Sequence, residues 1–281
     1  MSDAVDISPL TRLLASIDAR ADGTPASRDA IATGFPSLDR LLGGGVRAGD
    51  LAVLGGDVGV GKSALALAIA LRASGSGARV CYLSGEMTRE RILERALAIE
   101  GKASIDDLRR GTLDDETRAA LGAAAHRLRP ALPLIETFDQ PGTHNVLSVM
   151  RELERGALVV VDALQSLASG APALDEKLAD ALVALKEAAL SMGQAVLLTA
   201  HLPAHTRARP NPRPTLDDFG AAGGVKHHAD IVLGLYREEL YTDGAPEGAT
   251  ELAILKNRNG PLSYVDLYYY KRWLRFEDMV D

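Results

Sequence analysis

Along most of the chain, short apolar runs alternate with stretches whose apolar positions recur at helical spacing. The runs are Leu51 to Leu54, Val80 to Ser84, Leu132 to Thr137, Leu158 to Val161, Ala195 to Ala200 and Ile231 to Leu235. Apolar runs without polar alternation predict strands buried on both faces, and helical stretches between them predict the crossovers of a parallel sheet. The expected fold class is α/β, a mostly parallel twisted sheet flanked by helices. The end of the chain reads differently. Thr250 to Leu255 and Ser263 to Tyr270 flank Lys256-Asn-Arg-Asn-Gly-Pro261, and the Asn259-Gly260 turn signal predicts an antiparallel hairpin at the sheet's edge.

At the other end, Ser8-Pro9 precedes Leu10, Leu13, Leu14 and Ile17. That is an N-cap, a proline at the first helical position and one apolar stripe, so a short amphipathic helix is expected. The segment Asp22 to Asp29 reads as a flexible linker. The chain therefore divides into residues 1–30, a linker with a docking helix, and residues 31–281, one α/β domain. The stripe has two possible partners, its own domain or a neighbouring subunit. The only compositionally biased segment is His205 to Pro214, which is Pro-rich and basic.

Composition narrows the classes. A chain of 281 residues can bury an ample core, and a net charge of -7 means that any nucleic-acid contact must come from local basic clusters. The single cysteine, Cys81, lies inside an apolar run. This excludes an intrachain disulfide or a cysteine-based zinc site and suggests a reducing, cytosolic setting. No run of about eighteen apolar residues occurs, and the N-terminus lacks a basic stretch followed by an apolar one, so neither a membrane span nor a signal peptide is expected.

The candidate chemistry centres on Gly56-Asp57-Val58-Gly59-Val60-Gly61-Lys62-Ser63, a G-x-x-x-x-G-K-S loop between the run at Leu51 and a helical stretch at Ala64 to Ala70. A strand that ends, inward-facing backbone N–H groups and a helix N-terminus together make a nucleoside triphosphate site. Lys62 is suited to neutralise the β/γ-phosphates and the Ser63 hydroxyl to ligate Mg²⁺. Such a site needs a second carboxylate at a strand end, and Asp162 closes Leu158-Val-Val-Val. Metal binding is favoured over a helix cap at this position. Gln165 reads equally as a phosphate or nucleic-acid contact and as a polar loop residue. Glu86, just past the strand at Val80, is placed to activate water, the alternative being a helix-start acid. His201 ends its strand in the same way and is either a γ-phosphate sensor or structural. Lys256 and Arg258, at the hairpin tip, suit cations supplied to a neighbour's phosphates as well as edge protection. In the basic loop, Arg207, Arg209 and Arg213 can contact single-stranded backbone or simply be solvated.

An ordered series of motifs carries a family resemblance from about Thr33 to Asp278. It comprises Thr33-Gly-Phe-Pro-Ser-Leu-Asp39, the phosphate loop, Ser84-Gly-Glu-Met87, Arg109 to Glu116, Val161-Asp-Ala-Leu-Gln165, Ala229-Asp-Ile-Val, Tyr236-Arg-Glu-Glu-Leu-Tyr241, Lys256 to Pro261 and Trp273-Leu-Arg-Phe276. The series resembles the ATPase domain of DnaB-type hexameric replicative helicases, within the RecA-like group of P-loop ATPases. The resemblance implies ATP and Mg²⁺ as cofactors, Glu86 as catalytic base, Asp162 serving Mg²⁺, and Lys256 and Arg258 reaching the next subunit's γ-phosphate. It also implies a homo-oligomeric ring, a hexamer, acting on single-stranded DNA, with the helix from Pro9 to Arg20 docking on an adjacent subunit.

Departures accompany the match. The family's N-terminal helical domain is not expected here, and His201 stands where the family usually has glutamine. The DNA-facing loop reads Phe219-Gly-Ala-Ala-Gly-Gly224 in place of an Arg-Glu pair, leaving Gly223, Gly224 and Lys226 as its phosphate ligands. A KaiC-like or helicase-paralogue regulatory or loader ATPase, binding protein partners without unwinding DNA, is therefore the alternative. RadA-type recombination ATPases share Lys256-Asn-Arg, but their four-cysteine zinc module does not fit a chain with one cysteine.

Overall fold

The computed structural model describes residues 8–21, 30–202, 209–220 and 223–279. The linker expected at Asp22 to Asp29, Arg207, and Ala221-Ala222 of the glycine loop lie outside the described residues. Helix α1 (Pro9–Ala21) begins where the Ser8-Pro9 signal places it, with the Thr11 N–H donating to Ser8 Oγ at 3.3 Å. Its Leu10, Leu13, Leu14 and Ile17 are all exposed.

Strands β1 (Ala30–Ile31) and β2 (Val46–Arg47) form a small antiparallel ribbon around α2 (Pro36–Leu41). The Thr33 to Asp39 motif is a turn tied by its own aspartate. Asp39 accepts from the Thr33 N–H and hydroxyl, both at 2.7 Å, and from the Gly34 N–H at 3.1 Å. Then come β3 (Leu51–Gly56), α3 (Lys62–Gly75), β4 (Val80–Ser84), α4 (Arg89–Gly101), α5 (Ile105–Arg110), α6 (Asp115–Leu128), β5 (Leu134–Thr137) and α7 (Thr143–Glu152). They are followed by β6 (Leu158–Asp162), α8 (Leu174–Met192), β7 (Ala195–His201), α9 (Gly224–His228), β8 (Ile231–Arg237), β9 (Ala249–Asn257), β10 (Ser263–Tyr270) and β11 (Arg275–Asp278).

Nine strands form one sheet in the order β11-β10-β9-β8-β3-β7-β6-β4-β5. The six from β8 to β5 run parallel, and β9, β10 and β11 pair antiparallel. Both faces of the parallel part are covered, which is why its strands read as continuous apolar runs. Ala52 and Leu54 join the core on the α3 side, and Leu51 and Val53 join the core on the α8 side. Helix α8 buries Leu178, Ala181, Leu182, Leu185, Ala188 and Ala189, the stripe that a 3.6-residue period puts on one face.

Two expectations need adjusting. Strand β5 starts at Leu134, two residues later than the apolar run, because Pro133 has no N–H to give a ladder. The β9–β10 hairpin forms as expected, but it is not the outermost element. β11 pairs beyond it, with Tyr269 opposite Phe276, and the two rings stack with centroids 4.4 Å apart. Arg72 of α3 holds that edge strand by donating to the Phe276 carbonyl at 2.8 Å and pairing with Glu277.

Candidate functional site

Four parallel strands deliver the site because their carboxyl ends align. Gly56 lies opposite His201, and Ser84 lies opposite Asp162. The strand carrying Asp162 is not the immediate neighbour of β3. β7 lies between them, so the loop must reach across one strand. It does so through Ser63, the second residue of α3, whose hydroxyl donates to Asp162 Oδ1 at 3.0 Å.

The loop leaves β3 at Gly56 and re-enters helix at Lys62. Gly61 caps α3 in the left-handed region, at φ +108°, and an added Cβ would lie 2.9 Å from the Phe276 ring. Glycine is thus required here for both conformation and space. Lys62 is buried, and its ammonium donates to the carbonyls of Gly56 and Asp57, each at 2.9 Å. Burial pulls its pKa below the ordinary lysine value, against the pull of Asp162, Glu86 and Asp57. An amine without a bonded carboxylate, at a helix N-terminus, suits a phosphate. Of the other loop residues, Val58 is exposed, Val60 is fully buried, and Asp57 accepts from the Tyr241 hydroxyl at 3.1 Å.

Asp162 is 1% exposed and is held by two further donors. The Tyr82 hydroxyl donates to Oδ2 at 2.8 Å and the Thr199 hydroxyl to Oδ1 at 2.6 Å. Burial and the Asp162 charge push the Tyr82 phenol well above its ordinary value, so it remains a donor. These two residues were missed in the sequence, since each is a single polar position inside an apolar strand. Among the described residues, no group of three or more His, Cys, Asp or Glu could hold a metal. One carboxylate plus one hydroxyl, completed by substrate phosphates, is instead a Mg²⁺ arrangement.

Glu86 and His201 meet. His201 Nε2 lies 3.0 Å from Glu86 Oε1, with both side chains about one-third exposed (35% and 36%). This hydrogen bond is the main reason the Glu86 carboxyl lies below its usual range, with Lys62 and Arg95 adding to the effect. Gln165 does not face the phosphate loop. Its amide clamps the His201 backbone, donating to the carbonyl at 3.2 Å and accepting from the N–H at 3.1 Å. A 320 Å³ cleft beside Glu86, lined also by Phe138, Gln140 and Ser166, opens the site to its surroundings.

A second cleft, of 670 Å³, starts at Gly59 and runs between Arg237 and the Tyr268–Trp273 segment. Tyr270 and Trp273 stack at 5.1 Å. Arg237 is 2% exposed, and its Nε and Nη1 lack protein partners, although Nη2 pairs with Glu239 at 3.3 Å. A buried guanidinium with open donors and an aromatic wall beside the phosphate loop fit a nucleotide base. Apart from the Tyr236-Arg-Glu-Glu motif, nothing in the sequence pointed to this cleft.

Lys256 and Arg258 lie at the opposite end of the sheet. Asn257 pairs with Ile231, the residue preceding Val232, and β8 runs parallel to β3 with Ile231 beside Ala52. The four residues from Ala52 to Gly56 span about 13 Å of strand. Both cations therefore point away from their own chain's loop.

The basic residues are largely committed within the molecule. Arg209 grips Asp218 with two hydrogen bonds, at 2.6 and 2.9 Å, and Arg213 pairs with Glu251 at 3.0 Å while lying over the Tyr236 ring. Lys226 pairs with the exposed Asp217. Gly223 adopts a positive φ of +80°, and Gly224 packs against Ala179 and Leu182 of α8. No helix among the described residues is long and apolar enough to cross a membrane.

Comparison with known proteins agrees with this geometry. The chain is 29% identical over 257 residues to the replicative DNA helicase DnaB of Geobacillus stearothermophilus, covering 89% of this chain and 56% of the relative. It is also 29% identical over 259 residues to the replicative DNA helicase DnaC of Bacillus subtilis (strain 168), with the same coverage. The chain thus spans about half the length of the curated relatives it matches. Among solved structures, an ATPase domain determined on its own superposes with a TM-score of 0.88 at 22% identity, covering 98% of this chain and all of that one. A DnaB-like replicative helicase, described with its interactions with primase, superposes with a TM-score of 0.86 at 22% identity over 96% of this chain and 66% of that one. These two likenesses establish a shared fold. The family model of the DnaB-like helicase C-terminal domain matches residues 30–278, and the chain belongs to that family.

Proposed function

We propose that this chain is an ATP hydrolase of the DNA helicase type, a ring-forming motor that turns over ATP at subunit interfaces while acting on single-stranded DNA. The observation that carries the reading is the division of the chemistry between two ends of one sheet. Lys62, Ser63, Asp162 and Glu86 converge at one end, and Lys256 and Arg258 face outward at the other.

Within one subunit, the loop N–H groups and Lys62 hold the phosphates, and Ser63 with Asp162 holds Mg²⁺, directly or through water. Mg²⁺ bound there supplies charge neutralisation on the bridging phosphate oxygens. Glu86 orients the attacking water and accepts its proton. Its depressed pKa makes it a weak base, so orientation accounts for most of its effect. His201 fixes the Glu86 carboxylate and has an edge toward the γ-phosphate, while Gln165 fixes His201 in turn. The cleft at Arg237 receives the base. From the next subunit, Lys256 and Arg258 stabilise charge on the transferring phosphoryl group. The exposed stripe of α1 docks on a neighbouring copy and helps to close a ring of six.

The glycine loop with Gly223, Gly224 and Lys226 is the DNA-facing element. Arg209 and Arg213 shape the adjacent loop through their ion pairs, and Arg207 adds charge. The deciding experiment measures ATP turnover with and without single-stranded DNA, alongside the native mass of the assembly. Turnover that rises with DNA in a hexamer is expected. Turnover indifferent to DNA would refute the motor and leave a regulatory or loader ATPase.

A further inference from the structure

The motif Ala229-Asp-Ile-Val has no part in the chemistry above, yet Asp230 is bonded through every polar atom it has. Its N–H donates to the Leu51 carbonyl at 2.8 Å, and its carbonyl accepts from the Arg258 N–H at 3.0 Å. Its Oδ2 accepts from the Leu51 N–H at 2.8 Å and from Lys186 Nζ at 2.6 Å, and its Oδ1 accepts from Arg258 Nη1 at 3.0 Å. The carboxylate is only 5% exposed, whereas the Arg258 side chain is 54% exposed.

The neighbouring contacts repeat the pattern. Lys256 Nζ donates to the Lys226 carbonyl at 2.6 Å, and Arg258 Nη2 approaches the His227 carbonyl at 3.4 Å, both carbonyls belonging to α9. Asn259 donates to Asp50 at 2.7 Å on the other side. Cations that merely blunt a sheet edge need no buried partner, because water solvates them well. A buried carboxylate costs desolvation, and here it is compensated by ties to the first residue of the phosphate-loop strand and to the arginine.

We propose that Asp230, with the carbonyls of α9, is the positioning seat of Lys256 and Arg258, fixing both cations to the strand that carries the subunit's own phosphate loop. The inference rests on the reading of those two residues as cations supplied to the next subunit. Asp230 is a positioning residue in this scheme, since it acts only through Arg258.

The test is Asp230→Asn. An asparagine oxygen can still accept from the Leu51 N–H, but its amide cannot hold a guanidinium. A misplacement of about 1 Å costs about a hundredfold in rate, so kcat should fall about ten- to a hundredfold with nucleotide binding unchanged. Mixed rings separate positioning from folding. D230N subunits should regain turnover when mixed with Lys62→Ala subunits, which bind no phosphate but supply intact cations. In addition, the D230N/R258A double variant should be no slower than R258A alone. If D230N does not fold, the same cycle run with D230E decides the matter.

Wild-type turnover by D230N, or effects of the two substitutions that add, would overturn the seat. Failure of R258A to lose turnover, or to be rescued by K62A subunits, would instead overturn the supply of cations between subunits.

Discussion

Replacing Glu86 by Gln isolates the proton-accepting group with little change of shape. The glutamine oxygen can still accept from His201 Nε2, which lies 3.0 Å from the native carboxylate. Removing a general base costs about 10²- to 10⁴-fold in rate, or about 2.7 to 5.4 kcal/mol at 1.36 kcal/mol per decade. The folded state loses far less. Both side chains are about one-third exposed, and a solvent-screened pair of this kind contributes at most about 1 kcal/mol. In a domain this large that corresponds to a change in Tm of about 2–4 °C. Steady-state hydrolysis, labelled-nucleotide binding and a thermal melt on the same preparation distinguish the two quantities. The expected result is a drop in kcat of about two to four decades, with unchanged nucleotide Kd and nearly unchanged Tm. Hydrolysis retained to within about tenfold would remove Glu86 from the base role.

Three further outcomes are expected. His201→Ala deletes the main cause of the lowered Glu86 pKa, so the acidic limb of the pH–rate profile should move to higher pH. The sign follows for stability too: a depressed carboxylate stabilises above its unfolded pKa and loses that contribution as pH falls through the folded one, and a limb that stays in place refutes the link. Thr199→Val keeps the side-chain shape but removes one donor from the buried Asp162, which should cost about 1.5–3 kcal/mol in urea unfolding and weaken the Mg²⁺ dependence of turnover; an unchanged urea midpoint would contradict this account of Asp162. Gly61→Ala forces a side chain into a left-handed φ against Phe276, so it should cost about 1–3 kcal/mol and abolish nucleotide binding; binding at wild-type affinity would show that the loop accommodates a Cβ.

Local signals located the phosphate loop, because glycines, a lysine and a serine at fixed spacing between an apolar run and a helix have few other physical uses. They also located the helix at Pro9 and the Asn259-Gly260 turn. Period gave the sheet its parallel and antiparallel parts, since burial on two faces and burial on one face write different patterns. Strand β11 escaped because Arg275 to Asp278 is short and carries three charged residues around Phe276. The basic loop was legible as charge, but its ion pairs depend on Asp218 and Glu251, which no spacing rule connects to Arg209 and Arg213.

What the sequence by itself determined, then, was the chemistry available and the order of elements, because propensity and periodicity act over a few neighbouring residues. The tertiary structure alone decided which side chains meet. Only the insertion of β7 between β3 and β6 brings Thr199 onto Asp162, and only the parallel alignment of β4 and β7 ends sets His201 against Glu86. The antiparallel return of β9 likewise carries Arg258 away from its own phosphate loop and onto Asp230. Each of these contacts joins residues 28 to 115 positions apart, and such separations are set by the packing of whole elements against a common core.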